Sequence, residues 1–208
     1  MDMFDDDSEP INRLPKDGKV HYYGPVMSSS NANNHFKGLL EGIEWKNDVA
    51  VMYGKKIVTQ RKVAWYGDEP YRYTYSNHTK TALPWSEALL TLKAIVEKST
   101  QEIFNSCLLN LYHNGSEGVA WHSDDEKELQ RGAAIASLSL GAERKFSFKH
   151  KQSKDTISLY LQPGSLLVMT GDTQRYWQHC LPPTKKVHAA RINLTFRRMN
   201  IEIKSHSI

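Results

Sequence analysis

Two segments of the chain carry apolar residues at helical spacing. Phe36, Leu39, Leu40 and Ile43 fall at i, i+3, i+4 and i+7 behind Ser30, a residue suited to an N-cap. Leu89, Leu92, Ile95 and Val96 share one face of a second segment, with Ser86 as its cap and Pro84 marking its start. Both stripes read as core-facing, and neither carries chemistry. Between them, residues 49 to 65 read as extended, with Gly54 turning Val49-Ala-Val-Met52 back onto Ile57-Val-Thr59. Trp65 to Tyr75 reads as an aromatic loop bounded by Gly67 and Pro70, most of its rings packing on the core. From residue 104 the pattern shortens to strands at 106–113, 119–122, 134–140, 144–150, 156–161, 165–170, 176–181 and 190–198, with glycines in the intervening turns. About eight short strands of this kind predict a mainly β protein with flanking helices, built as a double-sheet jelly roll. The expected organisation is a flexible tail over 1–18, then helices and a hairpin over 19–103. The jelly-roll core spans 104–208 and forms one compact unit with 19–103.

Charge changes this picture only at the start. The 208 residues carry 27 Lys and Arg against 23 Asp and Glu, a formal net charge of +4. Five of the acids (Asp2, Asp5, Asp6, Asp7, Glu9) lie in the first nine residues, so the remaining body sets 27 cations against 18 anions. That balance suits a polyanionic partner. No run is long and apolar enough to span a membrane, and an acidic start is the opposite of a secretory signal peptide. Cys107 and Cys180 are far apart and form no metal-like pair. An intracellular protein is expected, cytoplasmic in a bacterium or nuclear in a eukaryote.

The chemistry sits where polar residues interrupt apolar strands at period two. Asn110 and Tyr112 form one such pair, and His122 and Asp124 another. Residues two apart on a strand point the same way, so His-x-Asp aims an imidazole and a carboxylate at one point. By itself the tripeptide is common in surface turns. Further along, His179 follows Tyr176-Trp177, and then Arg191, Asn193, Thr195 and Arg197 share one face of a strand while Ile192, Leu194 and Phe196 share the other. A surface strand would alternate in the same way. Two histidines and a carboxylate on one side of a metal, however, form the facial triad of non-haem Fe(II) oxygenases, which leaves positions open for a chelating co-substrate such as 2-oxoglutarate. An arginine fork suits the free carboxylate of that co-substrate.

His122-x-Asp124, His179, Arg191-x-Asn193-x-Thr195-x-Arg197 and the upstream Asn110-x-Tyr112 occur in an order that resembles the AlkB family of Fe(II)- and 2-oxoglutarate-dependent dioxygenases, over roughly residues 45 to 200. The resemblance implies a double-stranded β-helix with an N-terminal nucleotide-recognition extension. It implies Fe(II) on His122, Asp124 and His179, with 2-oxoglutarate and O2 as co-substrates. Arg191 and Arg197 would hold the distal carboxylate, and Asn110, Tyr112 and Asn193 would hydrogen-bond the co-substrate. The implied reaction is demethylation of 1-methyladenine and 3-methylcytosine in DNA, with RNA as a further polymer, releasing formaldehyde, succinate and CO2. Tyr73 and Tyr75 match the family's aromatic motif, with Tyr75 stacking the flipped base against His122, and Asp125 matches a residue at the base edge. Met52 and Tyr53 occupy the tip of a hairpin resembling a duplex-probing finger, with Lys55, Lys56 and Arg61 as phosphate contacts. A monomer is expected.

Other classes stay open at this level. The same iron chemistry could serve a protein or small-molecule substrate, since fold does not fix function. A zinc hydrolase also uses two histidines and an aspartate, though it has no need of Arg191. A non-catalytic nucleic-acid-binding module would leave the ligand set unexplained.

Overall fold

The computed structural model describes residues 10–52, 55–75 and 78–200, with the backbone alone at 49–52, 55–57, 73–75 and 78–79. In chain order the elements are β1 (Lys19–Pro25), α1 (Ser29–Gly42), β2 (Lys46–Met52), β3 (Lys55–Gly67), β4 (Arg72–Tyr75), β5 (His78–Thr81), β6 (Leu83–Pro84) and α2 (Glu87–Thr100). They continue with β7 (Ser106–Tyr112), β8 (Val119–His122), β9 (Ile135–Gly141), β10 (Arg144–His150), β11 (Thr156–Leu161), β12 (Ser165–Thr170), α3 (Thr173–Tyr176), β13 (Trp177–Leu181) and β14 (Arg191–Arg197).

The strands form a large sheet in the order β1-β12-β9-β14-β7-β3-β2, with β6 beside β3, and a smaller sheet β11-β10-β13-β8. This is the double-sheet jelly roll expected from the strand pattern. β14 lies at the centre of the large sheet. Its odd-numbered residues are the polar set, and its even-numbered residues, Ile192, Leu194 and Phe196, are fully buried with Leu109, Leu138, Leu140 and the helix residues Leu39, Leu89 and Leu92. The helices therefore cover one face of the large sheet. On its other face, between the sheets, a second apolar cluster gathers Leu14, Val20, Phe148, Met169 and Trp177. Because side chains alternate, the polar half of β14 is driven into the same inter-sheet space, and Arg191 is only 2% exposed. A solvated face is thereby ruled out for Arg191, Asn193 and Thr195.

Several boundaries differ from expectation. Ser28 rather than Ser30 caps α1, its hydroxyl accepting from the Asn31 amide. The buried face is then set by Ala32, Leu39 and Ile43 with Phe36 packed against them, and Leu40 is 40% exposed because it sits a further 100° round the helix. α2 is capped by Ser86 as expected and ends at Gln101 in the left-handed conformation. The aromatic stretch is strand rather than loop at both ends. Trp65 to Gly67 complete β3, whose pairing with β7 runs from Lys62↔Leu111 to Gly67↔Ser106, and β4 pairs with β5. Burial of Tyr66 and a hydrogen bond from Trp65 Nε1 to Ser106 Oγ (2.7 Å) hold the first of these in the sheet. The expected tail is also shorter than 18 residues. Asn12 accepts from the amides of Leu14 and Val20 and donates to Gly18, Leu14 is buried, and Trp177 Nε1 donates to the Lys16 carbonyl.

Candidate metal and co-substrate centre

The smaller sheet brings the two histidines together. β8 and β13 are antiparallel neighbours with His122 directly opposite His179, and a register shift between His179 and Leu181 marks an irregularity that aims His122 into the inter-sheet space. Their rings meet edge to face at a centroid distance of 4.3 Å. Asp124 follows β8 and is fixed at its amide, which donates to Gln174 Oε1 (2.9 Å). Its Oδ1 lies 3.6 Å from His122 Nε2 and 3.9 Å from His179 Nε2. One ligand atom from each of the three residues falls within 4.8 Å of the others, the convergence a single ion requires.

Tautomer and charge also suit a metal. Nδ1 of His122 lies 2.9 Å from the Ala120 carbonyl, an arrangement that places the proton on Nδ1 and leaves the Nε2 lone pair facing Asp124. Burial pushes His179 down to about 4, so this imidazole is neutral near pH 7. Burial alone would raise the Asp124 carboxyl, but Arg197, then His179 and His122, hold it below its ordinary value. The chain thus presents a neutral imidazole at His179 and a carboxylate at Asp124, with Nε2 of His122 facing that carboxylate. Phe146 stacks on His179 at 5.4 Å and lines the same cavity.

A pH effect follows for the metal-free protein. The His179 value falls from 6.5 in the unfolded chain to about 4 in the fold, so the unfolded state binds the extra proton between those values. Stability is fully present above about pH 6.5 and is lost as the pH falls towards 4, by up to about 3 kcal/mol. Denaturant unfolding across that window should show this loss, and His179→Phe should flatten it. An equally steep profile in the variant would assign the loss to other groups.

The residues expected to hold the co-substrate come from the large sheet. β14 pairs with β7 so that Arg191 lies opposite Tyr112 and Asn193 opposite Asn110. All four line one cavity of about 240 Å³ together with His122, Asp124 and His179. Arg191 donates to Ser139 Oγ (2.9 Å) and lies 5.5 Å from the Tyr112 ring centroid. Its Nε has no hydrogen-bond partner, and no salt bridge among the described residues reaches it. Burial lowers this guanidinium to about 10. A buried cation without a counter-charge is costly, so the pocket is built for an arriving anion.

Arg197 does not share that task with Arg191, contrary to the expectation that both hold the distal carboxylate. They stand six positions apart on β14, a span of roughly 20 Å. Arg197 instead bonds Asp124 Oδ1 at 2.9 Å and reaches Glu126 at 3.8 Å, at the metal end of the cavity. Its guanidinium keeps a metal ligand charged and in place.

Two further expectations change at the mouth. Asp125 is exposed and lines a separate cavity of about 590 Å³ on the far side of Arg197, while Glu126 lines both cavities. Of these two acids, Glu126 and not Asp125 lines the cavity that holds His122 and His179. Burial pushes its carboxyl up, with Arg197 opposing. Arg61 is not an outward phosphate contact either. It is largely buried at the pocket mouth and ion-paired with Asp48. Tyr53 lies outside the described residues, as do the side chains of Met52, Lys55, Lys56, Tyr73 and Tyr75, although the backbone places Met52 at the end of β2 and Tyr73 and Tyr75 on β4.

Sequence reading missed Asp48, Glu126 and Arg144. Arg144 is 1% exposed and donates to the carbonyls of Asn114, Gly115, Glu117 and Pro182, tying the loop before β8 to the turn after β13. An isolated arginine at the start of a strand gives no signal of this. Gly118 completes the fit, since a Cβ there would lie 2.3 Å from the Leu181 carbonyl oxygen. Gly118→Ala should therefore push β8 off β13, weaken metal uptake at least about tenfold and cost about 1–3 kcal/mol of stability. Mn(II) titration with thermal unfolding would check it; unchanged affinity would show that β8 tolerates the shift.

Comparison with known proteins follows the same outline. A family model described as the 2OG-Fe(II) oxygenase superfamily matches residues 19–197. The chain is 37% identical over 188 residues to the human protein named DNA oxidative demethylase ALKBH2, covering 85% of this chain and 72% of the relative. The bovine protein of that name is 36% identical over 198 residues, covering 90% of this chain and 71% of the relative. Human alpha-ketoglutarate-dependent dioxygenase alkB homolog 3 is 40% identical over 189 residues, with 86% and 65% covered. A solved structure described as "The structure of OsALKBH1" superposes with a TM-score of 0.62 at 15% identity, covering 91% of this chain and all of the other, a likeness of fold.

Proposed function

Since the chain belongs to the 2OG-Fe(II) oxygenase superfamily and to its AlkB family, we propose that it is an Fe(II)- and 2-oxoglutarate-dependent dioxygenase that oxidatively demethylates N-alkylated bases in DNA. The observation that carries this reading is the buried, unpaired Arg191 in one cavity with the His122, Asp124 and His179 cluster. One end of that cavity is a metal site and the other an anion site, the two demands a chelating dicarboxylate makes at once.

Each residue then has a task. His122, Asp124 and His179 hold Fe(II), and Arg197 keeps Asp124 ionised and oriented. Arg191 takes the distal carboxylate of 2-oxoglutarate, with Tyr112, Asn110 and Asn193 along its length. When bound, the iron with 2-oxoglutarate and O2 supplies the oxidation of an N-methyl C–H bond, which gives succinate and CO2, and formaldehyde once the hydroxymethyl group leaves. Phe146 packs against His179. Near the metal end, Glu126 sets a carboxylate beside the entering base, favouring the cationic 1-methyladenine and 3-methylcytosine over uncharged bases. Tyr75 is assigned to stack that base against His122, and Tyr73 to support it. The pocket is complete within one chain, which supports a monomer as the acting unit. RNA is proposed as a second substrate polymer.

The test offers single- and double-stranded DNA and RNA oligonucleotides carrying 1-methyladenine or 3-methylcytosine, with Fe(II), ascorbate and 2-oxoglutarate, and follows base mass and succinate together. Methyl loss matched by succinate is the expected result. Succinate without methyl loss would remove the nucleic-acid substrate and leave only the oxygenase.

A further inference from the structure

The cavity that holds His122 and Arg191 is lined at one side by an ion-pair bridge that the demethylation chemistry does not use. Asp48, on β2, bonds Arg61 of β3 through Oδ2 and Lys80 of β5 through Oδ1, the latter at 2.7 Å. All three side chains line the cavity that holds His122 and Arg191. Asp48 and Arg61 are largely buried, with side-chain exposures of 16% and 15%, while Lys80 is 47% exposed.

The bridge is built by the backbone. The pairing of β2 with β3 runs Lys46↔Val63 and Asn47↔Lys62, then jumps to Val49↔Val58, so β3 carries extra residues opposite Asp48. Asn47 Nδ2 donates to the Thr59 carbonyl, and Thr59 Oγ1 donates to the Arg61 carbonyl, fixing the irregular stretch. Bulges of this kind re-aim a side chain, and here Arg61 turns inward onto Asp48. One carboxylate thus sits between two cations from two different hairpins, each oxygen serving one of them. A phosphodiester offers the same pair of anionic oxygens.

We propose that Arg61 and Lys80 form a phosphate-binding site at the pocket mouth, and that Asp48 occupies it as an internal substitute until a nucleic-acid strand delivers its own phosphate. The inference rests on the proposed nucleic-acid substrate. Entry of the target nucleotide exchanges the carboxylate for the phosphate on its backbone, which joins both hairpins to the strand. Binding at this site carries no base preference, because the contact is to phosphate. Asp48 lowers affinity for nucleic acid as such, and more so for a strand that cannot place a phosphate between the two hairpins.

The experiment measures oligonucleotide affinity directly, by fluorescence anisotropy of a labelled single strand over a salt series, with turnover of methylated oligonucleotide followed separately. In Asp48→Asn, with the competing charge gone, binding should tighten about three- to tenfold at low salt. The dependence of log affinity on log salt should steepen by about 0.7 for each cation released to a phosphate. Asp48→Glu, which keeps the charge, should restore the parent values, and adding Lys80→Ala to Asp48→Asn should remove part of the steepening. Weaker or unchanged binding in Asp48→Asn, with an unaltered salt slope and Asp48→Glu folded, would overturn the proposal and leave the bridge as a scaffold. If the parent protein binds oligonucleotides but turns over none, the demethylase reading fails while the salt series still decides the phosphate site.

Discussion

Arg191→Met is expected to lose 2-oxoglutarate turnover while the protein remains folded. The guanidinium is buried, lies beside Tyr112 and carries no internal carboxylate partner, so its charge is committed to a ligand. Removing one partner of a desolvated charge pair costs about 2–5 kcal/mol, which is a factor of roughly 30 to several thousand in co-substrate affinity. The effect on the ligand-free protein has the opposite sign. An unpaired buried cation is a burden, so an apolar replacement of similar length should leave the melting temperature unchanged or raise it. The diagnostic pattern is therefore an intact or higher Tm, no rise in Tm on adding 2-oxoglutarate, and no succinate at concentrations that saturate the parent. Arg191→Lys should recover only part of the affinity, because an ammonium lacks the planar fork. An unaltered KM for 2-oxoglutarate in Arg191→Met would place the distal carboxylate elsewhere.

The second large effect belongs to Asp124, where stability and metal uptake should fall together. Asp124 is the counter-charge of Arg197 at 2.9 Å and a member of the ligand cluster, and both side chains are buried. Asp124→Ala leaves Arg197 with only its longer contact to Glu126, at a cost of up to about 3–5 kcal/mol, and removes the only carboxylate of the triad. His122→Ala is the control, since its side chain is 41% exposed and its loss strands no charge. Both variants should fail to bind Mn(II), but only Asp124→Ala should unfold at markedly lower denaturant. Equal stability in the two would mean that Arg197 finds another partner, with Glu126 at 3.8 Å the nearest acid.

The large features of the fold were legible because they depend on periodicity. Strand alternation from residue 106 onward gave the jelly roll, and the even-numbered residues of β14 are in the core as their apolar character requires. The odd-numbered residues were ambiguous, since Arg-x-Asn-x-Thr-x-Arg suits a solvated face equally well. Only the second sheet and the clusters packed between the two decide that this face is interior. The metal cluster was legible through the His-x-Asp spacing and the order of the motifs. What failed was the facing of side chains in irregular backbone. Asp125 and Glu126 follow a strand end, where no period fixes direction. Arg61 was read as outward because basic residues on a hairpin usually are, and the irregular pairing opposite Asp48 leaves no mark in composition. The division of labour between Arg191 and Arg197 was present in their six-residue separation, whose length in space precludes a shared carboxylate.

The smaller sheet ends at β8, a strand of four residues whose outer edge has no neighbour among the described strands and which carries the most exposed of the three proposed ligands. His179, in contrast, lies on β13 between two neighbouring strands, and Asp124 is buried and held by Arg197 and Gln174. Loading and release of the ion then need not disturb the core at all. The short edge strand β8 is held by its pairing with β13, by Ser123 Oγ donating to the Trp177 carbonyl and by the close approach at Gly118. Of the three proposed ligands, the one nearest solvent thus sits on the strand with the fewest neighbours.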